Sequence, residues 1–139
     1  MPFSHGNQAV FSIDATEGGA LTSISTYVSN VHYTAERDIS ELKRIGGTAT
    51  ARLVGTVTST YTLEGFYDPT VNSMFTLAVA AASPVTRSIE YGPAGSTTGL
   101  PRQTAEVYIA SYEVESDGEN PNTWTAELVV DGAVTFGNY

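Results

Sequence analysis

Apolar and polar residues alternate along much of this chain, with the period of half-buried strands. Residues 9–13 place Ala9, Phe11 and Ile13 on one side. Glu17, Gly18 and Gly19 then read as a turn. Residues 21–33 form a second extended stretch with a Ser-rich start. Residues 48–67 carry the most informative pattern. Leu53, Val57, Tyr61 and Leu63 stand at odd positions, and Thr56, Thr58, Thr60, Thr62 and Glu64 at even ones. This predicts a long strand with one packed and one wet face. At about 3.3 Å per residue it reaches about 60 Å. A compact chain of this length has a radius of gyration of about 14 Å. The strand therefore bends, with Gly55 the natural place, or leaves the body of its own domain toward another subunit.

One segment changes period. Asp68 is an N-cap and Pro69 a first helical residue. Val71, Phe75, Ala78 and Ala82 follow helical spacing, which predicts a helix over 69–83, stopped by Pro84. Between the early strands and the long one, residues 34–47 carry Glu36, Arg37, Asp38, Glu41, Lys43 and Arg44 and close on Gly46 and Gly47. They read as a long polar loop. Strands follow at 85–91 and 102–115, a glycine-rich loop at 92–101, and hairpin-turn chemistry at 116–122. The last strand reads as 123–136, with Trp124, Ala126, Leu128, Val130, Val134 and Phe136 on one face and Thr125, Glu127 and Asp131 opposite. Neither repeat nor linker interrupts the chain. The expected architecture is a single mainly-β domain over 1–139, an antiparallel sandwich or barrel with one flanking helix. Residues 1–20 read as an N-terminal arm.

Composition narrows the function. The 139 residues include no cysteine, which excludes a disulfide framework, a thiolate zinc site and a cysteine nucleophile. Charged residues are 15%, well below the usual share, while nineteen Thr and thirteen Ser supply polar surface instead. The longest apolar run, 77–82, is too short to span a bilayer. The first basic side chain is Arg37, so no charged start opens a signal segment, and synthesis in the cytoplasm is expected. The net charge of −9 makes a poor nucleic-acid binder, because phosphate affinity needs cations.

Candidate chemistry is sparse. His5 and His32 are the only histidines. A triad drawn through Asp14 or Asp38 lacks a nucleophile-elbow sequence, so no enzyme is expected. Glu113, Glu115, Asp117 and Glu119 are the densest carboxylates. Without calcium-loop spacing they read as a solvated hairpin, and no metal is expected. Residues 92–99 are glycine-rich but lack the lysine and following helix of a phosphate loop, so no cofactor is expected. Trp124 reads as core. Tyr61, Tyr108 and Tyr112 would serve a sugar-binding module only if exposed together.

Ordered motifs then bring a resemblance. Glu90-Tyr91-Gly92-Pro93-Ala94-Gly95-Ser96, Gly99-Leu100-Pro101-Arg102, Ala105-Glu106-Val107 and Tyr112-Glu113-Val114 run in sequence. They resemble the second half of siphophage tail tube proteins. Trp124-Thr125-Ala126-Glu127-Leu128 with Asp131-Gly132-Ala133-Val134-Thr135 is similar to their closing strand, and Ile24-Ser25-Thr26-Tyr27-Val28 to their opening. The likeness covers about residues 20–136, and the strand-like segment 8–14 is an addition. It implies a β-sandwich with a flanking helix, shared with contractile tails and type VI secretion tubes. It implies hexameric rings stacked into a virion tail tube that conducts DNA, joined through a long hairpin. It implies tip, tape-measure and terminator proteins as partners. A tail terminator or baseplate hub of the same fold, or a free carbohydrate-binding sandwich, are the alternatives. On this reading Thr56, Thr58, Thr60, Thr62 and Glu64 face a lumen that DNA crosses without specific binding. Residues 34–47, with Arg37, Asp38, Lys43 and Arg44, reach a neighbouring subunit or ring.

Overall fold

The computed structural model describes residues 6–14, 20–43, 45–47, 49, 51–80 and 86–139. Among the described residues eight strands and one α-helix follow one another: β1 (Val10–Asp14), β2 (Leu21–Ser23), β3 (Val28–Leu42), β4 (Ala51–Phe66), α1 (Pro69–Ala80), β5 (Arg87–Gly92), β6 (Pro101–Asp117), β7 (Asn120–Val130) and β8 (Thr135–Asn138). All strand pairs are antiparallel, in the order β2-β1-β5-β6-β7-β4-β3, with β8 beside β6.

The long β6 links two halves of the sheet. Its residues 103–107 pair with β5 and its residues 107–117 with β7, so Val107 belongs to both. The halves enclose the core. Phe11, Ile13 and Ile89 come from one half, and Tyr61, Leu63, Trp124, Ala126 and Leu128 from the other. Tyr61 is fully buried among Tyr33, Tyr91 and Phe11, with ring centroids 4.9, 6.1 and 6.2 Å away. Its hydroxyl donates to Gln103 Oε1 at 2.7 Å, so burial leaves no stranded donor. Burial, with Tyr33 and Tyr91 nearby, pushes this phenol far above its ordinary pKa.

The helix begins as the sequence predicts. Asp68 Oδ1 accepts the Thr70 amide at 2.8 Å, and Pro69 opens the first turn. Val71, Met74 and Phe75 are buried, and Phe75 stacks on Tyr112 at 5.5 Å and packs on Trp124 at 5.2 Å. The described helix ends at Ala80; the expected continuation to residue 83 and the stop at Pro84 lie outside the described residues, as does the turn at 17–19.

Three expectations are corrected. Residues 34–42, read as part of a loop over 34–47, are strand: β3 runs to Leu42 and pairs with β4 along the way. Charge did not prevent a strand, because β3 is held by backbone pairing with β4 and its charged side chains stay exposed. The last strand is two strands. Asp131 N donates to Glu106 O at 2.8 Å, and the chain turns at Gly132, where φ is +88°. β8 then takes the β6 edge that β7 has vacated, leaving Phe136 65% exposed rather than on the Trp124 face. Within the segment read as an arm, β1 lies between β2 and β5, with Phe11 and Ile13 in the core.

Candidate functional site

Residues directly opposite in a ladder share a face. That rule assembles one continuous surface on the half β3-β4-β7-β6, on the side away from the core and α1. From β3 come Asn30, His32, Thr34 and Glu36, opposite Glu64, Thr62, Thr60 and Thr58 of β4. Beyond them Thr62 faces Glu127 and Glu64 faces Thr125 in β7. Across β6 the row continues as Ser111, Glu113 and Glu115. Asp38 joins at the β3 end. Glu36, Asp38, Glu64, Glu113, Glu115 and Glu127 make this face acidic. Among the described residues no lysine or arginine shares it.

The five residues singled out on β4 lie here. Thr56, Thr58 and Glu64 are exposed and Thr60 and Thr62 half-buried, while the core takes Ser59, Tyr61 and Leu63. Sequence reasoning missed the β3 contribution. The signal was present as Asn30, His32, Thr34 and Glu36 alternating with Val31, Tyr33 and Ala35, but the following charges hid it.

The hairpin does not stop at the body. β7 pairs with β4 only from Thr60 to Phe66, so among the described residues β4 before Thr60 has β3 alone as a neighbour. Its apolar residues are uncovered: Ile39 is 57% exposed, Val54 55% and Val57 44%. Between Arg37 and Ile39 the register slips, and β4 spends one residue more than β3. Gly55 sits in this bulge, where a Cβ would stand 3.0 Å from Asp38 Cβ. The slip exchanges the faces of β4: Val54 opposite Ile39 continues the Val57 side, while Leu53 opposite Ser40 joins the Thr58 side.

The charges named on residues 34–47 do not form one cluster. Arg37, opposite Val57, and Asp38 point to opposite faces of the ribbon. Lys43 is exposed at the tip, and Arg44 lies outside the described residues. Nearby, Arg52 and Glu41 form an exposed ion pair at 3.5 Å.

The remaining candidates fall into ordinary structural roles. Trp124 is buried and donates Nε1–H to Phe66 O at 3.0 Å. Tyr61 and Tyr112 are committed to the core and to Phe75, so they form no exposed row with Tyr108. Asp117 accepts from Glu119 N and Asn120 Nδ2 at 3.1 and 3.0 Å, closing the β6–β7 turn. These hydrogen bonds hold its carboxyl below the ordinary value. A groove of about 190 Å³ beside Phe11, Val28 and Tyr91 is lined without a charged group among the described residues.

No family model matches the chain, and no curated protein matches it. Solved structures do. The chain is similar to the tail of an empty gene transfer agent particle solved with C6 symmetry, at TM-score 0.76 and 11% identity, covering 97% of this chain and 99% of that one. It is similar to the SPP1 tail tube at TM-score 0.73 and 12% identity, covering 98% and 80%. It is also similar to a chain of the sheath–tube complex of an extracellular contractile injection system, at TM-score 0.73 and 14% identity, covering 98% and 92%. The chain has the tail-tube fold.

Proposed function

We propose that this chain is the structural subunit of a virion tail tube, in which copies join edge to edge into hexameric rings and the rings stack around a bore that passes DNA. The observation that carries the reading is the acidic, hydroxyl-rich sheet face bordered by two open edges. Among the described residues no strand pairs with the outer edge of β3. None pairs with β6 beyond Val107 on the side away from β7. Exposed edges of this length invite pairing with another chain. A neighbour's β3 laid along the free part of β6 extends the four-stranded half into the next subunit.

The C6 symmetry of the gene transfer agent tail supplies the number of copies. Six copies of a four-stranded half give a barrel of twenty-four strands. With about 4.8 Å between strands and a tilt near 40°, its backbone circle is about 48 Å across. That is wide enough for a duplex. Thr56, Thr58, Thr60, Thr62 and Glu64 then line the bore with the acidic residues of β3, β6 and β7. A wall without cations releases no counterions from DNA and gives it no place to stick. The uncovered Ile39, Val54 and Val57, with Arg37 beside them, turn outward against a neighbouring subunit. Tip, tape-measure and terminator proteins are the expected partners, and the virion tail the expected location. The role requires no bond-making step and no cofactor.

Negative-stain electron microscopy with sizing, at rising protein concentration, tests this. Rings or hollow tubes are expected. A protein that stays monomeric at every concentration overturns the reading.

A further inference from the structure

The glycine-rich residues 93–100 join β5 to β6 with few bonds of their own. Gly95 and Gly99 stand at φ +118° and +92°. Within the loop, Gly95 N donates to Gly92 O at 3.2 Å and Leu100 N to Thr97 O at 3.1 Å. Tyr139 closes it. The Tyr139 amide donates to Leu100 O at 2.9 Å, and its carbonyl accepts from Gly99 N at 2.8 Å. Its ring lies on Gly92, where a Cβ would stand 2.7 Å from the phenol oxygen. One residue thus holds both ends of the loop. The Arg102 guanidinium carbon lies over the ring, 5.6 Å from its centroid. Burial first, and the Glu90 carboxylate second, push the phenol above its ordinary value.

β8, just before Tyr139, has little grip of its own. Its four residues are exposed, and Phe136 meets Tyr33 edge-on with 6.5 Å between ring centroids. Its ladder on β6 runs out at Pro101, which has no amide to donate. Upstream the chain is fixed again, by the Asp131 bond to Glu106 O and by Val134 against the core. The segment after Val134 is therefore a strap, held at one end by the body and at the other by Tyr139.

We propose that β8 and the loop over 93–100 are one latch, with Tyr139 as its catch. When the catch releases, the strap lifts and the loop loses the ties at both its ends. β6 is then left with an unpaired edge from Pro101 to Thr104, where β8 had been. An unpaired edge is a template for another strand, so the catch decides whether this end of the sheet is closed or receptive. The latch opens locally, at less cost than global unfolding, because β8 leaves its side chains exposed. It lies within one chain and requires no ring or tube.

Hydrogen exchange of the full chain, kept at a concentration where it is monomeric and read by mass spectrometry, tests this. In the wild-type chain, residues 93–102 and 135–139 should exchange together and about tenfold faster than β7. Tyr139→Ala should speed both segments by about a further tenfold, and chymotrypsin should then cut faster after the exposed Phe136. Tyr139→Phe, which keeps the ring on Gly92, should recover most of the protection. Arg102→Ala should speed exchange of both segments by about threefold. An unchanged Trp124 emission maximum in each variant shows that the body is still folded. Loop protection that survives Tyr139→Ala overturns the latch. So does a β7 that exchanges as fast as the strap, or a variant in which the body itself unfolds. Each of these failures leaves the tube reading intact.

Discussion

The two halves of the β3–β4 ribbon share strands and chemistry but differ in what lies beneath them. Near the body, Val31, Tyr33, Tyr61 and Leu63 point into a core that closes over them. Past Ser59, Ile39, Val54 and Val57 occupy the same side of the ribbon and are exposed, with no described residue covering them. The near half is held by its own chain. The far half leaves its apolar side exposed in the single chain, and on the proposed reading a neighbouring subunit covers it. The lesson is that an apolar stripe identifies a surface to be covered without saying which chain covers it.

The largest effects should come from the near half and appear in the isolated monomer. Trp124→Ala should cost about 3–5 kcal/mol, read by denaturant unfolding, because it empties the space beside the stacked Phe75 and Tyr112. Gly65→Ala should cost about 3 kcal/mol, since its new Cβ would overlap the Tyr27 carbonyl oxygen, which is backbone and cannot yield.

The far half should respond in the opposite way. Ile39→Ser with Val57→Ser should change monomer stability by no more than about 0.5 kcal/mol, as at other exposed sites. The same pair should abolish rings. A large loss of monomer stability would erase the contrast between the halves. Thr62→Arg tests the other face of the ribbon: tubes should still form but should retain DNA on sedimentation, and lose it as salt rises. Removing the exposed Arg52–Glu41 pair with Glu41→Ala should cost the monomer no more than about 0.5 kcal/mol by thermal melting.

A last, small effect belongs to pH. Asp117 has a lowered pKa in the folded chain, from the Glu119 amide first and the Asn120 side chain second. Its contribution is therefore present above the ordinary carboxylate value of 3.8 and lost as pH falls through the lower folded value. Asp117→Asn should remove that part of the acid sensitivity, seen as a flatter melting temperature below pH 4.

Much of this was legible in the residues themselves. Asp68 and Pro69 announced the helix because capping is local chemistry. Thr56 to Glu64 announced a two-faced strand because the period is local too. The reach of about 60 Å required the strand to bend or to leave its domain; β4 has a register slip at Gly55 and runs before Thr60 beyond the part paired with β7. What was hidden depended on distant pairing. The segment with Glu36, Arg37 and Asp38 looked like a loop because its partner strand lies across the hairpin. The break at Gly132 was invisible because it answers to where β6 has a vacant edge, not to residues 123–136. The acidic face needed four strands brought side by side before its uniformity of sign emerged.

That uniformity has a kinetic meaning. For a polyanion sliding along a wall of carboxylates and hydroxyls, every position is about as good as the next. A single arginine on that wall, repeated in each subunit of each ring, would turn the path into a periodic series of wells, and the dwell time in each would multiply down the length of the tube. Where this face lines the proposed bore, the absence of a cation among its described residues would keep the landscape level, so that a long molecule would meet low friction from end to end.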